Sequence, residues 1–150
     1  MKMSVQVING DTIKLLRECS AGIKMGITSI NDVLDDIKNN DFKNILIRCL
    51  NKHEALKRET DEILDEYHDE GKEPDPIAKG MSWIKTNFKL ALDNSDSVAA
   101  DLITDGCNMG VKSLRKYLNQ YEAAEEKVKD IAKRLITIEE DAANDIRAYL

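Results

Sequence analysis

The chain has 150 residues, of which 42% are hydrophobic and 33% charged, and its formal net charge is −6. This length is enough for one domain with a hydrophobic core, which we expect to span residues 1–150. The acidic balance disfavours nucleic-acid partners, because phosphate backbones repel an acidic surface. No apolar run reaches the roughly 18 residues that a membrane span requires, so we expect no membrane partner.

The start of the chain and the cysteines indicate a compartment. Residues 1–11 contain neither the apolar stretch nor the cleavage site of an export signal, and we expect residues 1–10 to be extended or flexible. The cysteines number 3 and lie within helical patterns, which favours reduced thiols over a disulfide framework. We therefore expect a cytoplasmic protein.

Composition and periodicity predict an all-α protein. The chain has only 7 glycines and 2 prolines, and it is rich in residues with high helix propensity. Hydrophobic residues recur at helical spacing in four long segments and one short one. We predict long helices, named A to D in this section, over residues 11–38, 41–68, 97–120 and 123–149, and a short helix over residues 81–92. Asp11 and Asp41 are the predicted N-caps of A and B.

The lengths of the connections predict the topology. Short turns join A to B and C to D, so each pair is expected to be antiparallel. The link from B to C has about 25 residues and contains the short helix, so it is long enough to return along the bundle and leave B and C parallel. This predicts an antiparallel four-helix bundle with one long crossover. Tyr117, Tyr121 and Tyr149 are predicted to cluster at one end of it.

Four glycines lie inside helices A and C at a regular spacing. Gly22 and Gly26 are four residues apart, as are Gly106 and Gly110, and we call these four the glycine seam. Each glycine in a helix interior costs up to about 1 kcal/mol relative to alanine. The main interpretation is that the seam lets the backbones of A and C cross closely. The alternative is that it leaves room for a ligand or a metal inside the bundle.

Several short motifs resemble those of a known family. Residues 19–24 and 107–112 both read Cys-x-x-Gly-[Ile/Val]-Lys, which suggests a duplicated helical hairpin. With Gly71 and the Gly80-x-x-Trp83 element between B and C, and with residues 145–147, they resemble a bacterial ferritin-like four-helix-bundle family of unknown function. The similarity covers roughly residues 11–150. It implies a ferritin-like fold, bacterial origin and the capacity to dimerise, but no established reaction.

The resemblance also predicts a loss of metal ligands. A ferritin or rubrerythrin di-metal centre takes a Glu from each of two helices and a Glu-x-x-His from each of the other two. The residues three positions before His53 and His68 are Leu50 and Asp65, so the chain has no Glu-x-x-His. Asn144 stands where the family often has a histidine. We therefore expect a ferritin-like protein without the di-iron ligand set, with no catalytic residue and no cofactor.

An unorthodox metal site remains an alternative. Cys49 and His53 are spaced i, i+4 on the inner face of helix B, and Cys107 and Glu139 are predicted at a similar level on C and D. Thiolate, imidazole and carboxylate together suit a divalent transition metal. The favoured interpretation is structural: the cysteines are small core residues, and His53 pairs with Glu139 or Thr60.

Three functions stay open at this point. The leading prediction is a non-enzymatic interaction or structural protein that acts as a homo-oligomer, a dimer in the simplest case, or through a protein partner. The alternative is a metal-binding or redox and stress protein with an atypical site inside the bundle. The third is a small-molecule carrier, with a cavity at the glycine seam.

Overall fold

The computed structural model describes residues 9–74, 83–91 and 93–150. Within these residues the regular structure is helical and no strand is present, which confirms the all-α prediction. The helices are α1 (Gly10–Leu34), α2 (Asn40–Glu66), α3 (Trp83–Leu90), α4 (Asp96–Gln120) and α5 (Glu126–Asp145), with a 3-10 turn at Arg147–Tyr149. Residues 1–8 of the predicted N-terminal segment, and residues 81, 82 and 92 of the predicted short helix, lie outside the described residues.

Two helices begin earlier than predicted, because asparagines rather than aspartates cap them. Asn9 caps α1 and Asn39 caps α2, and each side chain accepts the backbone N–H three residues later, at 2.8 and 3.0 Å. Gly10 is therefore the first residue of α1 rather than part of an extended segment. Asp11 and Asp41, the predicted caps, lie in the first turns, where the helix dipole still favours a negative charge.

The prediction of one helix over residues 123–149 is wrong at both ends. Helix α5 begins at Glu126, because backbone groups of Ala123 and Glu125, just before it, are hydrogen-bonded to the start of α1. Thr12 Oγ1 accepts the Glu125 N–H at 2.9 Å, and the Ala123 carbonyl accepts Asn9 Nδ2 at 3.0 Å. At the other end α5 stops at Asp145 and the chain tightens into the 3-10 turn.

Hydrogen bonds at the two ends give the directions of the long helices. The Asp96 carboxylate at the start of α4 accepts the backbone N–H groups of Lys38 and Asn39, both at 2.8 Å, so α2 and α4 begin at the same end. Helices α1 and α5 begin together at the opposite end, where Asn9 meets Ala123. Helices α2 and α4 thus run in one direction, and α1 and α5 run in the other.

The buried side chains form two apolar clusters, one toward each end of the long helices. The cluster near the start of α1 includes Leu16, Ile23 and Leu135, and the cluster near its end includes Ile30 and Phe42. Each end is closed by a stacked pair of aromatic rings: Tyr117 with Tyr121 at 6.1 Å between centroids, and Phe42 with Tyr149 at 4.7 Å. The predicted cluster of three tyrosines at one end is therefore wrong.

Candidate functional site

The boundary between the two apolar clusters falls at one level on all four long helices. On α2 it lies between Cys49 of one cluster and Leu56 of the other, and His53 occupies the gap. On α5 Glu139 occupies the corresponding gap, between Ile136 and Ala142. The inward-facing hydrophobic rows of α2 and α5 thus each contain one polar side chain about halfway along the helix. Each faces inward because it occupies a position of the same heptad row as the hydrophobic residues on either side of it.

A cavity of about 410 Å³ lies at this level between α1 and α4. All four residues of the glycine seam line it, together with His53 and Glu139. It extends from the core to the protein surface, because its lining includes both His53, 2% exposed, and Met109, 57% exposed. The seam therefore borders a space between α1 and α4 that reaches the protein surface.

Two glycines of the seam are required by the polar side chains opposite them. A Cβ atom on Gly26 would collide with Nε2 and Cδ2 of His53, and a Cβ on Gly110 would collide with the Glu139 carboxylate. At Gly106, in contrast, a Cβ would meet only Ile84 Cδ1, at 3.9 Å. Gly26 and Gly110 thus make room for His53 and Glu139, whereas a Cβ atom at Gly106 would make only an ordinary contact.

His53 is held by its own helix. Its Nδ1 lies 2.8 Å from the Cys49 carbonyl oxygen, which can only accept, so Nδ1 carries a proton and donates it. Its Nε2 lies 4.0 Å from Glu139 Oε1, beyond hydrogen-bonding distance, and makes no hydrogen bond within the described residues. Thr60 Oγ1 donates to the Leu56 carbonyl at 2.8 Å instead, so the predicted alternative partner of His53 is wrong.

Glu139 lies opposite His53, is only 7% exposed, and its Oε2 has no hydrogen-bond partner within the described residues. Burial raises the pKa of Glu139, and the neighbouring His53 partly opposes this effect. Burial lowers the pKa of His53, but its contacts with Cys49 and Glu139 outweigh that and raise the pKa to about 10. Because the two groups are coupled, their protons belong to the pair, which we call the His–Glu pair.

Two of the three cysteines also line the cavity. Cys49 Sγ lies 3.6 Å from His53 Nδ1, and burial, followed by the charges of Glu139 and Cys49, raises the pKa of Cys107. Cys19 is buried in the cluster near the start of α1, where burial and Glu18 raise its pKa to about 12. A raised pKa disfavours the thiolate, so neither Cys107 nor Cys19 is marked as a nucleophile.

The structure brings the four predicted metal ligands to one cavity without arranging them around a common point. Among the described residues no group of three or more His, Cys, Asp and Glu side chains is placed to hold one ion. Two ligands of a tetrahedral zinc ion, each about 2.0–2.1 Å from the metal, lie about 3.4 Å apart. The distance of 4.0 Å between His53 Nε2 and Glu139 Oε1 exceeds that spacing, so a metal would require the side chains to move.

Several lining residues were not singled out for this site by their sequence pattern. Trp83 at the start of α3, Met25 of α1 and Met109 of α4 line the cavity beside Tyr117, so its walls are mostly apolar. Their types alone would assign them to core or surface. The glycine spacing is the feature of the sequence that indicates the level of the cavity along the helices. It does not indicate which helices line the cavity, because that depends on how the helices pack.

Comparison with known proteins offers no relative from which a role could be transferred. No protein-family model matches the chain, and neither a curated protein nor a solved structure gives a significant match. In the part of the chain that the structure describes, no helix has the length and apolar character needed to cross a membrane. The function must therefore be argued from the cavity itself.

Proposed function

We propose that this chain is a ferritin-like four-helix bundle without the di-iron ligand set, and that it binds a small apolar molecule in the cavity between α1 and α4 without transforming it. The architecture is supported by the shared direction of α2 and α4 and by the long link between them. Binding to a second copy of the chain or to a protein partner remains part of this proposal.

The glycine-lined cavity is the observation that carries the proposal. Its volume of about 410 Å³ falls within the range of about 300–1,000 Å³ that is typical of small-molecule sites. Gly106 has no steric demand that accounts for it, since an added Cβ atom would meet only Ile84 Cδ1, at 3.9 Å. Its cost in helix propensity is offset if a ligand occupies the cavity that it lines.

The direct test fills the cavity. Gly106→Leu adds a large side chain to the wall of the cavity, and we expect it to abolish binding of N-phenyl-1-naphthylamine, an uncharged apolar fluorophore. Quenching of Trp83, the single tryptophan, reports occupancy, because that ring lines the cavity. Asn108→Leu makes the same kind of change at an exposed position of the same helix and should leave binding intact. Equal binding by wild type and Gly106→Leu would contradict the proposal.

A metal-binding or redox function is the second candidate, because Cys49, His53, Cys107 and Glu139 all line one cavity. Elemental analysis of the untagged protein tests it: stoichiometric zinc, iron or manganese would support a metal site. Cys49→Ala should then lower both the metal content and the melting temperature. Unchanged metal content in that variant would show that Cys49 is a packing residue.

A further inference from the structure

Resting on the proposed function, we infer that the ligand is an uncharged molecule with an apolar body and a hydroxyl group, and that the hydroxyl binds at the His–Glu pair. Two features of the described residues point to this chemistry: the balance of charges around the cavity, and two buried polar atoms that have no hydrogen-bond partner among those residues.

The described residues that line the cavity offer no unbalanced charge to an ionic ligand. Lysine and arginine are absent from the described lining, and its carboxylate and imidazole side chains are Glu18, His53 and Glu139. Glu18 is balanced by Lys72, whose Nζ lies 3.0 Å from its carboxylate. His53 and Glu139, of opposite charge type and 4.0 Å apart, balance each other. A charged head group would lose its hydration without gaining a counter-charge, which is costly in an apolar site.

The His–Glu pair favours a ligand that carries a polar group. Nε2 of His53 and Oε2 of Glu139 are buried, and neither has a hydrogen-bond partner within the described residues. Such unsatisfied atoms are uncommon in folded proteins, and each calls for an explanation. The 4.0 Å between Nε2 and Oε1 is too long for the pair to satisfy itself.

A hydroxyl is the group that suits the pair in either of its proton arrangements. It both donates and accepts, so it can bond to the pair whether the shared proton resides on Nε2 or on the carboxyl group. A purely apolar ligand would leave both atoms unsatisfied. An ammonium only donates and a carboxylate only accepts, so each would suit one arrangement and would also bring an unbalanced charge.

Three probes with one alkyl chain and different head groups test the inference: 1-octanol, octylammonium and octanoate. Each competes with N-phenyl-1-naphthylamine for the wild-type protein at neutral pH. We expect 1-octanol to bind at least about tenfold more tightly than either ion, the discrimination typical of a buried hydrogen bond without a charge penalty.

Variants of the pair should shift the preference in opposite directions. Glu139→Gln leaves His53 without its counter-charge, so the affinity for octanoate relative to that for octylammonium should rise about tenfold. His53→Gln should lower this ratio of affinities by a similar factor. Glu18→Gln is the matched control: it removes a lining carboxylate that Lys72 already balances, and the order of the three probes should not change.

The outcomes separate this inference from the proposed function. An ion that binds wild type as tightly as 1-octanol overturns the inference but leaves ligand binding in the cavity intact. Failure of all three probes to displace a fluorophore that Gly106→Leu no longer binds also overturns the inference alone. Absence of fluorophore binding to wild type overturns both. If a variant of the His–Glu pair does not fold, the order of affinities of the three probes for the wild-type protein is the test of the inference.

Discussion

At the scale of single residues, the glycine seam shows that a small residue can be required by a side chain on another helix. We predict that Gly26→Ala lowers the free energy of unfolding by about 1–3 kcal/mol, despite the better helix propensity of alanine, because the new Cβ collides with the His53 ring. Urea denaturation measures the loss. Adding His53→Ala should relieve the collision, so the double variant should lose less than the sum of the two single losses.

Gly106→Ala is the control at the same scale. Its Cβ would meet only Ile84 Cδ1 at 3.9 Å, so we expect no loss and a gain of up to about 1 kcal/mol in the free energy of unfolding. If Gly26→Ala and Gly106→Ala were equally stable in urea, His53 would not be the reason for the glycine at position 26.

At the scale of elements, side chains rather than helix propensity determine where the helices begin. We predict that Asn39→Ala costs about 1 kcal/mol of stability, because its side chain satisfies the Phe42 N–H at the start of α2. Asp41→Ala, in the first turn, should cost only a few tenths of a kcal/mol through the helix dipole. Thermal unfolding measures the stability of the two variants. A larger loss of stability in Asp41→Ala than in Asn39→Ala would show that Asp41, not Asn39, caps α2.

The segment after α2 is fastened to α1 by ion pairs, and one of them should be visible in the pH dependence of stability. The Arg17 guanidinium hydrogen-bonds Asp69 and holds the pKa of that carboxyl below its ordinary value. The stabilisation is therefore fully present above the ordinary carboxyl pKa and is lost as pH falls through the lowered one. We expect Asp69→Asn to cost up to about 1 kcal/mol at neutral pH and progressively less in acid.

Urea titrations at a series of pH values test this ion pair. Asp101→Asn, at an exposed position of α4, is the control and should show a small difference from wild type that changes little with pH. A stability difference for Asp69→Asn that stays constant into acid would show that Arg17 contributes nothing through the charge of Asp69.

At the scale of the whole molecule, ligand binding should stabilise the fold by mass action. The cavity interrupts the core between its two apolar clusters, so an occupant would restore contacts across that level. At a concentration about a hundredfold above its dissociation constant, 1-octanol should raise the free energy of unfolding by about 2.7 kcal/mol. This corresponds to a rise of roughly 5–10 °C in melting temperature. Gly106→Leu should melt at one temperature with or without 1-octanol, and a matching shift in that variant would place binding elsewhere.

Self-association is also a property of the whole molecule. Leu90, Met109 and Leu150 are more than half exposed, at 75%, 57% and 55%, and a second copy of the chain could cover them. We expect sedimentation equilibrium to show a species of twice the 16.9 kDa chain mass at micromolar concentration. A monomer at all accessible concentrations would contradict this prediction.

The helical class, the approximate extent of each long helix and the inward-facing rows could be predicted from the amino-acid pattern. These depend on local propensity and on a periodicity that each helix carries within itself, as in the row of Phe42, Cys49 and Leu56 on α2, all of which are buried. The exact helix ends depended on partners: the start of α5 is set by hydrogen bonds to α1, more than a hundred residues earlier in the chain.

The role of the glycine seam, in contrast, depends on how the helices pack. Its spacing fits a close helix crossing and a cavity equally well, because both require small residues on facing helices. The choice depends on what the other helices present at that level. There His53 and Glu139 occupy the space beside Gly26 and Gly110, while a Cβ atom at Gly106 would make only an ordinary contact at the wall of the cavity. The same packing holds Nε2 of His53 and Oε1 of Glu139 4.0 Å apart, a distance that no spacing along one helix encodes.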